Sequence, residues 1–181
     1  MHNKLSISCS YVVDKNLELK MVTWLQFILI RVTKVLLIPF HKDLRRARAA
    51  AHNIIPTSTG AAKAVGLVLP HLKGKLDGTA IRVPTPNVSL VDFKFNTKNP
   101  ISVAALNAKF EEYANGSLKG ILGVDSDPKF PVIIIMTLEV LFRFNRNNCY
   151  SDTFGRILTW YDNEWGFSNR MLETSQQVCK L

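Results

Sequence analysis

The sequence has few of the residues that build disulfide frameworks and zinc sites. Its 181 residues include three cysteines, Cys9, Cys149 and Cys179, and none lies in a CxxC or CxxH spacing. An odd number of isolated cysteines argues against both kinds of site and favours a reducing compartment, so no metal site is expected. The sequence also lacks a Gly-x-Gly-x-x-Gly motif, which argues against a complete dinucleotide-binding domain.

No stretch of the chain has the sequence of a stable membrane span. The most apolar run, residues 21–38, is interrupted near its middle by Arg31 and Lys34. Each charge would cost about 2.5–3.5 kcal/mol at the centre of a bilayer. Asp14 and Glu18 precede the run and argue against a secretory signal. The β-branched and aromatic side chains of the run predict a buried strand instead.

Acidic residues are outnumbered by basic ones, 14 against 23, and the net charge is +9. This balance favours an anionic partner and leaves three classes open: phosphorylated metabolites, nucleic acid, or an acidic membrane surface. The densest basic cluster is Lys42, Arg45, Arg46 and Arg48, and a Thr-Ser-Thr-Gly turn follows at 57–60. Hydrophobic residues make up 47% of the chain, which is enough for one globular domain with a core.

Helical and strand patterns are segregated along the chain rather than strictly alternating. A short alanine-rich helix is expected after Gly60 and should end near Pro70, and an amphipathic helix is expected over residues 101–115. Strands are predicted on either side of Pro84 and Pro86. Further strands are predicted at 118–124 and 154–160, and a closing helix at 168–181. This segregated pattern favours an α+β fold.

Two long stretches carry a specific resemblance. HKDLRRARAAAHNIIPTSTGAAKAVGLVLPHLKGKLDGTAIRVPTPNVSLVD begins at residue 41, and ILTWYDNEWGFSNRM occupies residues 157–171. Both resemble phosphorylating glyceraldehyde-3-phosphate dehydrogenase, and the resemblance to its C-terminal catalytic domain covers residues 41–128 and 152–172. It implies a mixed, largely antiparallel sheet with helices on one face, no complete Rossmann domain, and assembly into a homotetramer.

The resemblance implies that the substrates are glyceraldehyde 3-phosphate and inorganic phosphate. Arg82 matches the family arginine that faces phosphate, and Arg46 is expected as a second one. Thr59 and Gly60 match the hydroxyl and the backbone N–H that hold the attacking phosphate. Guanidinium groups and fixed N–H donors suit a phosphate dianion. These groups are expected to form one pocket for the ionised end of the triose.

The resemblance also implies a cofactor, NAD or NADP, and a cysteine nucleophile. Asn163 matches the asparagine that binds the nicotinamide carboxamide, and Tyr161 matches the ring beside the catalytic imidazole. Cys9, in the short sequence SCSY, is the candidate for the nucleophile. No match to the family's histidine motif exists in residues 12–40, because no histidine lies between His2 and His41.

Codon arithmetic offers an explanation for the missing motif. When the last base of each codon is joined to the first two of the next, residues 26–34 permit Val-His-Ser-Tyr-Thr-Ser-Asp-Gln. Similar readings of residues 132–150 permit family-like peptides. The hypothesis is therefore a chain with two frame-disrupted stretches: a degraded segment at 1–40, then the catalytic domain at 41–181 with a disrupted stretch at 130–151.

Three functions follow from these observations. The first is a glyceraldehyde-3-phosphate dehydrogenase catalytic-domain fragment, located in the cytoplasm or alternatively in a plastid. The second is an inactive remnant that docks onto intact subunits. The third is a basic nucleic-acid-binding fragment, although the sequence has no RNA-recognition or helix-turn-helix pattern.

Overall fold

The structure of the chain is a computed structural model that describes residues 2–29, 52–85, 87–125, 140–143 and 148–180. Arg46 and the basic cluster around it lie outside the described residues. Parts of the two stretches predicted to be frame-disrupted, residues 30–40, 130–139 and 144–147, also lie outside them.

The described residues form four α-helices, one 3₁₀ helix and eight strands. The helices are α1 (His2–Leu17), α2 (Ala61–Val68), the 3₁₀ helix Pro70–Leu72, α3 (Val103–Asn115) and α4 (Trp165–Val178). The strands are β1 (Leu19–Leu29), β2 (Ile55–Ser58), β3 (Leu76–Val83), β4 (Ser89–Thr97), β5 (Leu122–Asp125), β6 (Val140–Arg143), β7 (Asn148–Cys149) and β8 (Phe154–Tyr161). Among these helices, none is long and apolar enough to cross a membrane.

All eight strands belong to one sheet. Its order is β2-β3-β1-β4-β8-β6-β5, and β7 pairs with β8 beside this path. The β1–β3 and β5–β6 pairs are parallel and the others are antiparallel. This confirms the predicted mixed, largely antiparallel sheet. The segment predicted to be degraded supplies β1, which lies between β3 and β4, so a single sheet holds residues from both sides of position 40.

One face of the sheet is buried against the helices. Trp24 in β1 pairs with Phe93 in β4, and their rings stack with centroids 6.1 Å apart. Both rings are fully buried, together with side chains from α1 and α3 such as Val12 and Phe110. Gly78 lies opposite Trp24, and a Cβ atom there would stand 2.6 Å from the indole nitrogen. The core therefore needs glycine at this position.

Helix α1 and strand β2 were not predicted from the sequence, and β2 includes Thr57 and Ser58 of the predicted turn. Only Thr59 and Gly60 remain between β2 and α2, whereas α1 is a new helix. It contributes Cys9, Val12 and Val13 to the core. Its C-terminal end is fixed by Glu18, whose φ of 53° is the left-handed conformation common after helices. Asp14 then accepts a hydrogen bond of 3.0 Å from the Leu19 backbone N–H. This side chain ties the end of α1 to the start of β1.

Most other predicted elements are present with shifted ends. Helix α3 begins at Val103 because Ser102 Oγ accepts a 3.2 Å hydrogen bond from the Ala105 N–H, which is a standard N-cap. The strand predicted at 118–124 begins only at Leu122. A turn occupies the residues before it, and Gly120 adopts a φ of 76° there.

Candidate functional site

The strand register places several predicted site residues in one row on the buried face of the sheet. Arg82 lies opposite Ile55 of β2 and opposite Ile28 of β1. In β4, Ser89 lies opposite Tyr161 of β8. Because directly paired residues project to the same face, Arg82 and Tyr161 lie on the same side of the sheet. This set, Ile28, Arg82, Ser89 and Tyr161, is called the site row below.

The Thr-Ser-Thr-Gly turn lies at the junction of β2 and α2. Thr59 Oγ1 accepts a 3.2 Å hydrogen bond from the Ala61 N–H, and Gly60 is the N-cap residue of α2. Backbone N–H groups at a helix N-terminus, together with the helix dipole, favour an anion at this point. Among the residues that the structure describes, none lies within 4 Å of a Cβ placed on Gly60.

The turn and Arg82 lie at different ends of the β2–β3 ladder. Ile55 faces Arg82, whereas Ser58 faces Thr79 and Thr59 follows it. The Thr59 backbone lies four positions along the chain from Ile55 and one beyond the end of β2, which corresponds to about 13 Å at the rise of a strand. The sequence predicted one pocket shared by these groups. Their backbone positions lie toward opposite ends of the β2–β3 ladder, and the shared pocket stays a prediction.

Tyr161 has a buried polar partner that the sequence did not indicate. The Gln26 side-chain amide donates a 2.6 Å hydrogen bond to the Tyr161 hydroxyl, and each residue is only 1% exposed. The one available signal was a glutamine inside an otherwise apolar run, since buried amides usually bind a specific partner. Gln26 therefore binds the tyrosine that was expected to lie beside an imidazole.

Asn163 lies two residues after the end of β8 and is held by its neighbours. Ser89 Oγ contacts the Asn163 Oδ1 atom at 3.5 Å, and both residues are buried. Asp162 accepts 2.9 Å hydrogen bonds from the backbone N–H groups of Glu164 and Trp165, which caps the first turn of α4. The backbone of Asn163 is thus fixed between β8 and α4.

The position of Cys9 does not suit a nucleophile, which corrects the expectation drawn from SCSY. Cys9 lies in the middle of α1 and its side chain is fully buried. Burial raises the pKa of its thiol from 9.0 to about 12, although a hydrogen bond with Thr159 acts in the opposite direction. A nucleophilic cysteine needs a thiolate that a substrate can reach. Cys9 has neither property and is a core residue.

The other titratable groups of the described part of the chain form no second candidate site. Cys149 is half-buried and burial raises its pKa, whereas Cys179 is exposed. Within the described ranges, no three His, Cys, Asp or Glu side chains group as metal ligands would. His71 Nε2 lies within hydrogen-bond distance of Asp14 Oδ2, at 2.7 Å, near the end of α1.

Comparison with known proteins agrees with this arrangement. The family described as glyceraldehyde 3-phosphate dehydrogenase, C-terminal domain, matches residues 7–163. The glyceraldehyde-3-phosphate dehydrogenase of Xanthobacter flavus is 53% identical over 142 residues, which are 78% of this chain and 42% of the relative. The glyceraldehyde-3-phosphate dehydrogenase 1 of Bacillus subtilis (strain 168) is 47% identical to this chain over 149 residues, which cover 77% of this chain and 42% of the relative.

A plant relative gives the same result. The chloroplastic glyceraldehyde-3-phosphate dehydrogenase B of Pisum sativum is 51% identical over 140 residues, 76% of this chain and 31% of the relative. The chain therefore spans less than half the length of the curated relatives it matches. The family match also extends beyond the stretches that carried the resemblance, since it begins at residue 7. These findings confirm that the chain belongs to the glyceraldehyde-3-phosphate dehydrogenase family, through its C-terminal domain.

Proposed function

We propose that the chain is the substrate-binding part of a glyceraldehyde-3-phosphate dehydrogenase and does not oxidise the substrate by itself. The family reaction would be NAD(P)-dependent oxidative phosphorylation of glyceraldehyde 3-phosphate to 1,3-bisphosphoglycerate through a cysteine thioester. The observation that carries the proposal is the joint placement of Arg82, Tyr161 and Asn163 at one end of the sheet. The burial of the Cys9 thiol supports the part of the proposal that the chain alone does not oxidise the substrate, because the family's reaction requires an accessible thiolate.

Two phosphate groups take part in the family reaction, and the chain has two separate elements for anions. Arg82 would bind the phosphate of the triose, since a guanidinium meets two phosphate oxygens at once. Thr59 and Gly60 would bind inorganic phosphate through the N-terminus of α2. Arg46 would be a further cation for one of these groups. The separation of about 13 Å between the two elements supports two phosphates rather than one.

The cofactor, NAD or NADP, would meet this chain at Asn163. When bound it supplies the acceptor for a hydride. Ser89 contacts the oxygen of the Asn163 amide, which leaves its N–H donors for the carboxamide of the nicotinamide. A single buried amide fits that group. The rest of the cofactor would need residues from the part of the relatives that this chain does not span.

Binding can be tested separately for the two phosphates. Arg82→Met should weaken the binding of glyceraldehyde 3-phosphate by about tenfold or more in calorimetric titration, because a charge-assisted contact is lost. The affinity for inorganic phosphate should change little. Thr59→Val should instead weaken the binding of inorganic phosphate. The control is Lys119→Met, which replaces an exposed cation in the turn before β5 and should change neither affinity. Equal affinities in all three variants would contradict the proposal.

Catalysis needs its own assay. The chain incubated with glyceraldehyde 3-phosphate, phosphate and NAD or NADP should produce no reduced cofactor above the background of a heat-denatured sample. Steady turnover that Cys9→Ser abolishes would contradict the assignment of Cys9 to the core.

A docking role is the second candidate, and one observation favours it. Helix α4 exposes several large apolar side chains, each at least 45% accessible: Trp165, Phe167, Met171, Leu172 and Val178. Such a stripe suits contact with another chain, in keeping with the oligomer expected from the family. Co-migration with an intact dehydrogenase on a native gel would support it. The named relatives are bacterial and chloroplastic, which favours a cytoplasmic or plastid location.

A further inference from the structure

The turn between β3 and β4 contains a strained residue. Val88 has a φ of 66°, although it is β-branched and only 5% exposed. A non-glycine residue in this region costs about 1–3 kcal/mol, and such strain persists only where the surroundings impose it. Glycine would adopt the same conformation at lower cost.

Asn87 holds this conformation through both ends of its side chain. Its Oδ1 atom accepts a 2.7 Å hydrogen bond from the Val88 N–H. Its Nδ2 atom donates a 3.1 Å hydrogen bond to Asp162 Oδ2. The other carboxylate oxygen of Asp162 caps α4 by accepting from Glu164 and Trp165. One buried carboxylate therefore joins the strained turn to the N-terminus of α4.

The turn determines where β4 begins. Ser89 follows Val88, lies opposite Tyr161 in the register, and contacts Asn163 Oδ1. Asn163 itself follows Asp162, the residue that Asn87 binds. The turn thus acts on Asn163 from two sides: through Asp162 in the backbone, and through Ser89 at the side-chain amide.

We propose that Asn87, which holds the turn at Val88, is a positioning residue that orients the Asn163 amide toward a nicotinamide carboxamide. The inference rests on the proposed function for its ligand, and its geometry stands without it. With Ser89 against its oxygen, Asn163 presents its N–H donors, so the ligand group it selects is a hydrogen-bond acceptor. The strain at Val88 is the conformational cost of placing the Ser89 hydroxyl against Asn163 Oδ1.

The orientation of Asn163 can be measured without a cofactor. In ¹⁵N-labelled protein, the side-chain amide resonances of Asn163 are assigned by their loss in Asn163→Asp. They should be dispersed and exchange with water about tenfold more slowly than those of Asn99, an exposed asparagine. Asn87→Ala should shift these resonances and speed their exchange, whereas Val88→Gly, which keeps the conformation of the turn, should leave them near their wild-type positions. The matched control Asn99→Ala should leave them unchanged.

Val88→Gly separates the conformation of the turn from the valine side chain, because glycine adopts the same φ at lower cost. If the Asn163 resonances are the same in wild type and in Asn87→Ala, the inference is wrong. This result would stand whether or not the chain binds a cofactor.

Titration with NAD then tests the ligand. Asn87→Ala should bind NAD about threefold to tenfold more weakly than wild type, with inorganic phosphate affinity unchanged. Equal NAD affinities alongside altered Asn163 resonances would overturn the role toward the cofactor. If wild type binds no NAD while the resonances respond as expected, the positioning is supported and the cofactor part of the proposed function fails.

Discussion

Gln26 and Tyr161 form a buried hydrogen-bonded pair, 135 residues apart in sequence, between the central strand β1 and β8. Gln26→Leu should destabilise the protein by about 1–3 kcal/mol, because the Tyr161 hydroxyl loses its amide donor inside the core. Urea denaturation followed by tryptophan fluorescence measures the change.

The double variant Gln26→Leu with Tyr161→Phe is the matched control. Removing both polar partners should restore most of the loss, since no buried group is then deprived of its partner. Strictly additive costs in the double variant would show that the two side chains do not interact energetically.

The Cys9 thiol should resist alkylation in the folded protein. Its pKa of about 12 and its full burial keep it protonated and inaccessible near neutral pH. Iodoacetamide should label exposed Cys179 at once and Cys9 only when denaturant is added, as peptide mass spectrometry can show. Rapid labelling of Cys9 in the native state would contradict its place in the core.

The same thiol predicts a loss of stability at high pH. The folded-state pKa lies above the unfolded value, so the unfolded chain releases the proton first. The contribution of the Cys9 thiol to the free energy of unfolding is complete below pH 9. The free energy of unfolding should then fall by about 1.4 kcal/mol per pH unit between pH 9 and 12. Cys9→Ala should lack this component, which is obtained by subtracting the two pH profiles.

Asp92 should contribute to stability at neutral pH. Burial would raise the pKa of Asp92, but hydrogen bonds from Arg156 and Lys94 outweigh it and the pKa lies below 3.8. Arg156 Nε donates at 2.7 Å and Nη2 at 3.1 Å to the two carboxylate oxygens. Asp92→Asn should cost about 2–3 kcal/mol at pH 7 because the guanidinium loses its charged partner.

The sign of the pH effect follows from the lowered pKa. The contribution of Asp92 is present above its ordinary value near 4 and is lost as the pH falls through the folded-state value. Wild type should therefore lose stability faster than Asp92→Asn below pH 4. Glu112→Gln, in the exposed pair of Glu112 with Lys109, is the control and should match wild type throughout.

Two glycines should respond to alanine in opposite ways. In Gly78→Ala the new methyl group would meet the indole of Trp24 at 2.6 Å, and the buried ring has no room to move, so about 1–3 kcal/mol should be lost. In Gly66→Ala, within α2, the nearest neighbour is at 3.6 Å and helix propensity should add about 0.5–1 kcal/mol. Denaturant midpoints of the two variants should move in opposite directions.

The reading-frame hypothesis predicts the codons of residues 26–34. The permitted histidine codon spans Phe27 and Ile28, and Ile28 belongs to the site row opposite Arg82. An imidazole there would stand beside the Gln26–Tyr161 pair. Nucleotide sequencing of the gene should reveal third bases that spell Val-His-Ser-Tyr in the shifted frame. Codons that do not spell this peptide would refute the hypothesis.

Local patterns in the sequence were sufficient for several elements. Helix α3 has its N-cap serine and apolar spacing, and strands β3 and β4 end and begin around a proline-containing turn. Helix α1 was missed because its Ser and Val residues have low helix propensity, and contacts with α2 and α3, together with β1 and β4, stabilise it instead.

The residues of the candidate site likewise divide into those that local motifs could locate and those that they could not. Thr59, Gly60, Arg82 and Asn163 lie in contiguous motifs, so a resemblance could locate them. Gln26, Asn87 and Ser89 act through partners 74 to 135 residues away, and no local pattern encodes such pairs. The burial of Cys9 was hidden for the same reason, since it depends on how α1 packs.

The central position of β1 has a consequence for synthesis of the chain. Both neighbours of β1, strands β3 and β4, emerge from the ribosome after it, the last of them ending at Thr97. At about 5–20 residues per second, the apolar strand ending at Leu29 waits roughly 3 to 14 seconds for its second partner. During that interval a nascent polypeptide exposes Trp24 and Phe27, which are the kind of side chains that chaperones capture.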